Sequence, residues 1–346
     1  MTRTEQFEEL RPLLFSIAYR ILGSVSEAED AIQESWLRWE SSPTQPASAK
    51  AFLSAVVTRV SIDVLRSARV RREVYVGSWF PEPLLADPYQ DPERSAELAD
   101  SLSMAALLLL ERLSPLERAA FVLREVFDFG FPEIASAVGR SEAACRQLVV
   151  RARRHMDAGR PRFEADRREC EQLAERFFDA FRGGDVEVLR DVLSADVHMV
   201  GDGGGKAPLW SKGAFGIDIV VSRVAALVPL FTAVGVVVES REVNGQPGAV
   251  LRARDGKILG TWALDILDGR IQAIRVVINP DKLQHMGQVA DAWAILREAN
   301  QVRRSTEQPY DASLARRWLD SVGDLGCLGS ATEVRQDFDR GNPARR

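Results

Sequence analysis

Residues 132–154 read PEIASAVGRSEAACRQLVVRARR. Pro132 suits the first turn of a helix, where a missing N–H is no loss. Gly139 can take the left-handed backbone that ends that helix, and Ser141 can cap a second one running to about Arg154. Leu148 and Ala152, with Ala144 or Cys145, form an inner stripe at helical spacing. The opposite face then carries Glu142, Arg146, Val150 and Arg153, flanked by Gln147, Arg151 and Arg154. A short helix, a glycine turn and a basic-faced helix is the layout that sets a recognition helix in the DNA major groove. There an arginine can pair with guanine and a glutamine with adenine. Arg151, Arg153 and Arg154, late in the helix, suit phosphates better than bases. A helical hairpin with a solvated basic face has the same pattern, so the stretch alone leaves both readings open.

Upstream, Ser114-Pro115-Leu116-Glu117 is a capping box with proline at the first helical position. Helices are expected from about Glu93 to His155. Before them, Pro81, Pro83, Pro88 and Pro92 forbid a continuous helix between Gly77 and Pro92. Residues 5–75 read as helical again. Ser26-Glu27-Ala28-Glu29 forms a capping box, followed by an apolar stripe of Ala31, Ile32, Ser35, Trp36 and Trp39. A second helix, Ala49 to Arg69, carries Leu53, Val56, Val57, Val60 and Val64 on one side. Arg59, Arg66, Arg69, Arg71 and Arg72 cluster toward its end, beside Asp63 and Glu73. They are either a nucleic-acid surface or solvated cations complementing a helix C-terminus. Two separate basic helical modules suit a protein that grips two DNA segments at once.

Downstream of a polar stretch, Gly159 to Asp166, the pattern changes. Two helices, near Cys170–Arg182 and Val186–Leu193, precede strand-like runs such as Val234–Val238 and Ile271–Ile278. Asn244-Gly245, Asp255-Gly256 and Asp268-Gly269 are hairpin signals between such runs. They predict an antiparallel sheet with helices on one face. Gly203-Gly204-Gly205-Lys206 is followed by Ala207-Pro208 at a strand exit, which is not a phosphate loop. From about Gln284 the chain reads as helical, then polar.

With 346 residues the chain has room for two or three domains. Its net charge of −5 argues against non-specific coating of nucleic acid, so local clusters matter more than the total. The three cysteines (Cys145, Cys170, Cys327) and three histidines (His155, His198, His285) are too scattered for a disulfide framework or a metal site. No run of eighteen apolar residues and no signal-peptide core is evident. A reduced, cytoplasmic protein with no cofactor, no metal and no membrane attachment is the simplest expectation.

Several motifs together resemble a family. Ala28 to Arg38 resembles the region 2 helix of bacterial sigma factors, and Val60 to Ser67 their promoter −10 reading helix. Leu113 to Arg154 resembles region 4, which reads the −35 element. The order matches the extracytoplasmic-function class. Trp79-Phe80-Pro81-Glu82-Pro83-Leu84, Asp202-Gly203-Gly204-Gly205-Lys206 and Asn279-Pro280-Asp281-Lys282-Leu283 further resemble the sigma-J-type branch, which carries a fused SnoaL-like domain; that branch usually has Leu where Phe80 stands. The resemblance implies a multidomain chain: two all-α sigma domains, the second with a helix-turn-helix, then an α+β NTF2-like domain. The boundaries expected are 1–75 for region 2, 76–103 for the linker, 104–157 for region 4, 169–284 for the SnoaL-like domain and 285–346 for an extension.

The implied partners are core RNA polymerase, at its β′ clamp helices and β flap, and promoter DNA at the −35 and −10 elements. Asp30, Gln33, Glu34 and Leu37 would meet polymerase. The basic residues on the second helix, with Ser141, Glu142, Arg146, Gln147, Arg151, Arg153 and Arg154, would meet DNA. The three branch motifs would meet one another as regulatory contacts. No catalytic residue is implied, and the fusion makes a separate anti-sigma factor unnecessary. Two other functions compete. One is a one-component regulator with an effector-binding domain, and the other an NTF2-like cyclase or isomerase tethered to DNA, with His198, Asp202 and Asp265 as the acid–base candidates.

Overall fold

The computed structural model describes residues 2–43, 46–72, 75–89, 98, 101–157, 167–209 and 213–305. Three helices open the chain. Thr2 and Glu5 form a reciprocal cap on α1 (Arg3–Leu22), which ends at Gly23 in the left-handed region. Helix α2 spans Val25–Glu40 and α3 spans Ala49–Arg72. Trp39 is buried where the three meet, tilted against Phe52. The expected Ser26 cap on α2 is corrected to Ser24, whose hydroxyl accepts from the Glu27 N–H at 3.1 Å. The helix begins two residues earlier than the capping-box spacing suggested, and a second acid from elsewhere, described below, completes the cap.

The next helices are α4 (Met104–Leu110), α5 (Pro115–Phe121), α6 (Phe131–Val138) and α7 (Glu142–Asp157). A π-turn, Val122–Val126, continues α5. The Ser114–Glu117 capping box and the Gly139 stop both form as the sequence predicts. One apolar core runs from Phe7 to Met156 without a break. Helix α3 packs on α5 and α6, so the two helical modules sit directly against each other.

The C-terminal half begins with α8 (Arg167–Gly183) and α9 (Val186–Val192). They precede β1 (Leu193–Asp202), β2 (Ala214–Phe215) and α10 (Ile217–Val234). Four strands then follow by hairpins: β3 (Val237–Val243), β4 (Gln246–Arg252), β5 (Ile258–Leu267) and β6 (Arg270–Val277). The sheet order is β2-β1-β6-β5-β4-β3. Asn244 and Gly245, and Asp268 and Gly269, all have φ between 51° and 70°, as tight hairpin turns require. The sheet is mixed rather than antiparallel, because β1 lies parallel to β6. Hairpin dipeptides report only on strands joined by a turn. β1 reaches its partner by crossover, and no local signal marks that.

Helix α10 is apolar along its length, with a mean hydropathy of 1.9 over eighteen residues despite Asp218 and Arg223. By length and composition alone it would pass for a membrane-crossing helix, although Asp218, Ser222 and Arg223 keep it from being an unbroken apolar run. In the fold it packs on β1, β2, α8, α9 and α11 (Ala292–Ser305). The domain also runs past the expected end at 284. The Ile258 N–H donates to Gln288 O and the Ala290 N–H to Ile258 O, both at 2.8 Å. Ala299 of α11 is buried against Leu230 and Val234. Residues 306–346 of the expected extension lie outside the described residues.

Candidate functional site

Helix α7 presents the face the sequence assigned to it. Cys145, Leu148, Val149, Ala152 and Met156 are buried, and Arg146, Gln147, Val150, Arg151, Arg153 and Arg154 are exposed. Ser141 caps the helix through the Ala144 N–H at 3.3 Å. Arg146 lies 4.8 Å over the Phe131 ring and pairs with Glu142 at 2.9 Å. Arg151 is held by Glu117 at 2.9 Å and Arg153 by both oxygens of Glu125. These two arginines therefore brace α7 against α5 and the π-turn that continues it. Burial pushes the Glu117 carboxyl up, but hydrogen bonds from Ser114 and Arg151 outweigh it and leave the group below the usual carboxylate range.

On α2, Asp30, Gln33 and Leu37 are exposed and Glu34 is partly so, paired with Arg38 at 2.7 Å. Leu37 leaves 53 % of its surface in solvent, among the largest apolar exposures of the described residues. An acidic and amide face around one bare leucine suits a basic partner helix. On α3, Arg66 is exposed and pairs with Asp63. Arg59 is engaged: its guanidinium donates to Ser136 O of α6 at 2.6 Å. Arg69, Arg71 and Arg72 fall on α3, but their side chains lie outside the described residues.

The three glycine-, proline- and tryptophan-containing motifs converge. Asp202, at the end of β1, is buried, and its carboxylate accepts from four groups. These are the Lys282 ammonium at 2.7 Å, the Tyr75 hydroxyl at 2.5 Å, the Phe80 N–H at 2.9 Å and the Gly204 N–H at 2.9 Å. Lys282 also donates to Phe80 O, and its ammonium sits 4.0 Å over the Trp79 ring and 5.0 Å over that of Tyr75. Asn279 donates to the Tyr75 hydroxyl at 2.6 Å. Burial, with the Asp202 carboxylate alongside, pushes the Tyr75 phenol far up, so it remains a donor. Gly204 has φ of +58°, and a Cβ there would sit 2.3 Å from Asn279 Nδ2 and 3.0 Å from the Tyr75 hydroxyl. Its glycine is required both by the turn and by the approach of the linker. Gly203 packs under Ala207 O and Gly205 under Val76.

Lys206 does not reach the linker. It is exposed and pairs with Asp281 at 2.5 Å, tying two loops of the C-terminal domain together. Pro280 opens a short 3-10 turn, Pro280–Lys282, that aims Lys282 inward. Phe80 and Leu283 share an apolar cluster with Met104, Val243, Val250, Ile258, Ala263 and Val277. Pro81, Pro83 and Leu84 are also buried.

The linker is anchored to region 2 by Glu82. Its carboxylate accepts from the Val25 N–H at 2.7 Å, the Ser26 N–H at 3.3 Å and the Ser24 hydroxyl at 2.8 Å. A linker acid thus caps the N-terminus of α2, where the helix dipole favours it. The Tyr19 hydroxyl donates to Glu82 O at 2.5 Å. His285 meets Pro83 O at 2.7 Å.

A second set of contacts escaped sequence reading. The Asn244 side chain donates to the Tyr19 hydroxyl at 2.8 Å and accepts from the Leu84 N–H at 3.1 Å. Its backbone N–H donates to Leu84 O at 2.7 Å. Two residues on, Gln246 accepts from the Met104 N–H, at the start of α4, at 3.0 Å, and donates to Asp265 at 3.0 Å. Asp265 is neutralised by Arg275 at 2.6 Å. One hairpin therefore touches the first module, the linker and the second module. Asn244 was legible only as a turn residue, since its partners are up to 225 residues away.

Residues 6–71 match the family Sigma-70 region 2, and residues 103–156 match Sigma-70, region 4. The chain is 38% identical over 289 residues to the ECF RNA polymerase sigma factor SigJ of Mycobacterium tuberculosis, a match spanning 80% of this chain and 92% of that one. The chain belongs to the ECF RNA polymerase sigma factors. A probable ECF sigma factor, SigI of the same organism, is 30% identical over 276 residues, covering 79% and 92% of the two chains. The crystal structure of SigJ superposes with a TM-score of 0.63 at 34% identity, covering 81% of this chain and 98% of that one. As a sigma factor the protein acts in transcription initiation, with core RNA polymerase and promoter DNA as its partners. The mixed sheet with its covering helices is the SnoaL-like domain that the branch motifs implied.

Proposed function

We propose that this sigma factor is held closed by its own C-terminal domain and opens to read a promoter. The observation that carries the reading is the buried Asp202–Lys282 pair, which clasps the linker between the two DNA-reading modules. The closed state conflicts with promoter geometry. The −35 and −10 elements are roughly 25 base pairs apart, about 85 Å at 3.4 Å per step. Here α3 and α6 are bonded to each other through Arg59 and Ser136. Regions 2 and 4 must separate before both elements are read, and the clasped linker opposes that separation. Burial of the Phe80 side chain alone contributes about 1.5–3 kcal/mol to the closed state, one to two orders of magnitude in the equilibrium.

In the open state Asp30, Gln33, Glu34 and Leu37 meet the β′ clamp helices, region 4 meets the β flap, and α3 and α7 read the −10 and −35 elements. Arg146 and Gln147 contact bases; Arg59, Arg66, Arg69, Arg71, Arg72 and Arg154 meet phosphates. The protein acts in the cytoplasm by binding rather than catalysis, and the fused domain takes the part that a separate anti-sigma factor would play. Asp202 and Asp265, the acids that chemistry in that domain would use, are both committed to ion pairs facing the sigma modules. The regulator reading leaves the exposed Leu37 face without a role. Run-off transcription with purified core enzyme tests the proposal. Trp79→Ala and Lys282→Met are expected to raise specific transcript about tenfold over the unaltered chain, and equal transcript levels would contradict it.

A further inference from the structure

Phe131, the first residue of α6, carries two guanidiniums on one ring. Arg146 of α7 lies 4.8 Å from the ring centroid and Arg124 of the π-turn 5.4 Å from it. The ring is only partly exposed, because it packs on the apolar core of the helical modules. Its backbone is set by the helix start. The Gly130 N–H donates to the Glu133 carboxylate at 2.9 Å, and Pro132 fixes φ in the first turn. Arg124 is tied down as well, donating to Phe129 O at 3.0 Å and pairing with Asp128 at 3.0 Å. Arg146 is different: it is exposed on α7, and a long exposed side chain has many rotamers to lose when it pairs with a base. One of its nitrogens meets Glu142 at 2.9 Å. The ring attracts its charge, and a guanidinium has further N–H donors for a bidentate pair with guanine.

We infer that Phe131 is a positioning residue for promoter reading: its ring presets the Arg146 guanidinium for one base of the −35 element. The inference rests on the assignment of Arg146 to a base. A preset side chain loses less freedom on pairing, so the matched complex gains. A mismatched base takes no such pair and gains nothing from the ring. Phe131 therefore acts on discrimination at one position and not on affinity for DNA in general.

The test uses the full chain assembled with core RNA polymerase. The probe is a promoter selected by that holoenzyme from DNA randomised over the −35 element. Discrimination is the ratio of binding to the selected sequence and to each single-base change, so a uniform loss from a less stable variant cancels. Arg146→Ala identifies the position concerned. There Phe131→Leu should lose about threefold in discrimination, the factor that a ring–cation contact at an exposed site supplies. Phe131→Tyr keeps the ring and should keep the discrimination. In an Arg146→Ala background, Phe131→Leu should change nothing. Full discrimination in Phe131→Leu, or the same loss with and without Arg146, would overturn the inference while leaving Arg146 as a base reader. No loss at any position with Arg146→Ala would refute that base-reading role, and the inference with it.

Discussion

The Asp202 carboxylate and the Lys282 ammonium meet at 2.7 Å with side chains 0% and 8% exposed, and the linker backbone at Phe80 hydrogen-bonds to both. Both partners of this pair belong to the C-terminal domain, yet the groups that complete it, Tyr75, Trp79 and Phe80, belong to the linker. Undocking the linker strips the pair of those groups. Lys282→Met goes further and leaves a buried carboxylate without its cation, a change that costs about 3–5 kcal/mol. The expected outcome is faster cleavage of the linker by a protease in the full chain. Cleavage at the unaltered rate would show that the pair does not hold the linker down.

Glu82→Gln removes the charge that caps α2 while keeping the side chain's shape. Losing a cap costs about 0.5–2 kcal/mol. Hydrogen exchange should accelerate at the Val25 and Ser26 amides and leave the middle of α2 unchanged. Unaltered protection at those two amides would mean the carboxylate is not their partner in solution.

Arg146 and Arg154 are expected to separate by role. Arg146→Ala should lose about 1–3 kcal/mol of discrimination at one position of the −35 element. Arg154→Ala should weaken binding evenly across sequences and lower the salt slope by about one. Binding assays on promoter variants at two salt concentrations check this, and equal losses everywhere for both would refute the division. Arg153→Ala has a further expected effect, since it removes the ion pair to Glu125 and loosens α7 from the π-turn segment.

Leu37→Asp should leave the melting temperature unchanged, because the side chain is already half in solvent. It should weaken core polymerase binding at least tenfold. Polymerase affinity equal to that of the unaltered chain would remove α2 from that interface.

The Glu117 carboxyl lies below its usual range when folded, so its contribution is present in full above the unfolded value of about 4.3. That contribution disappears as pH falls through the folded value. Thermal melts between pH 6 and pH 3 should therefore fall less steeply for Glu117→Gln than for the unaltered chain. Parallel curves would show that its bonds to Ser114 and Arg151 do not bias its ionisation.

Much of this architecture is legible in the sequence because the decisive signals are local. Gly139 stops α6, the Ser114–Glu117 box starts α5, and three Asx-Gly dipeptides turn the hairpins. The contact between motifs was also readable, but only through resemblance, since nothing in Asp202 or Lys282 announces a partner 80 residues away. The parts that escaped share one physical cause. Glu82 capping a helix 57 residues upstream, Asn244 bridging Tyr19 and Leu84, and β1 lying parallel to β6 are all set by tertiary packing. A hairpin asparagine looks the same whether its side chain faces water or another domain.

In the proposed closed state the C-terminal domain holds regions 2 and 4 together until polymerase and promoter separate them. The most direct measurement is energy transfer between one dye on the outer face of α2 and one on the outer face of α7. It would be made in the free full chain, in Lys282→Met, and in the unaltered chain bound to core enzyme and promoter. The account predicts high transfer in the free chain, a fall in Lys282→Met, and near-complete loss on the promoter complex, where the two elements lie about 85 Å apart. The same transfer in the free chain and in Lys282→Met would contradict it.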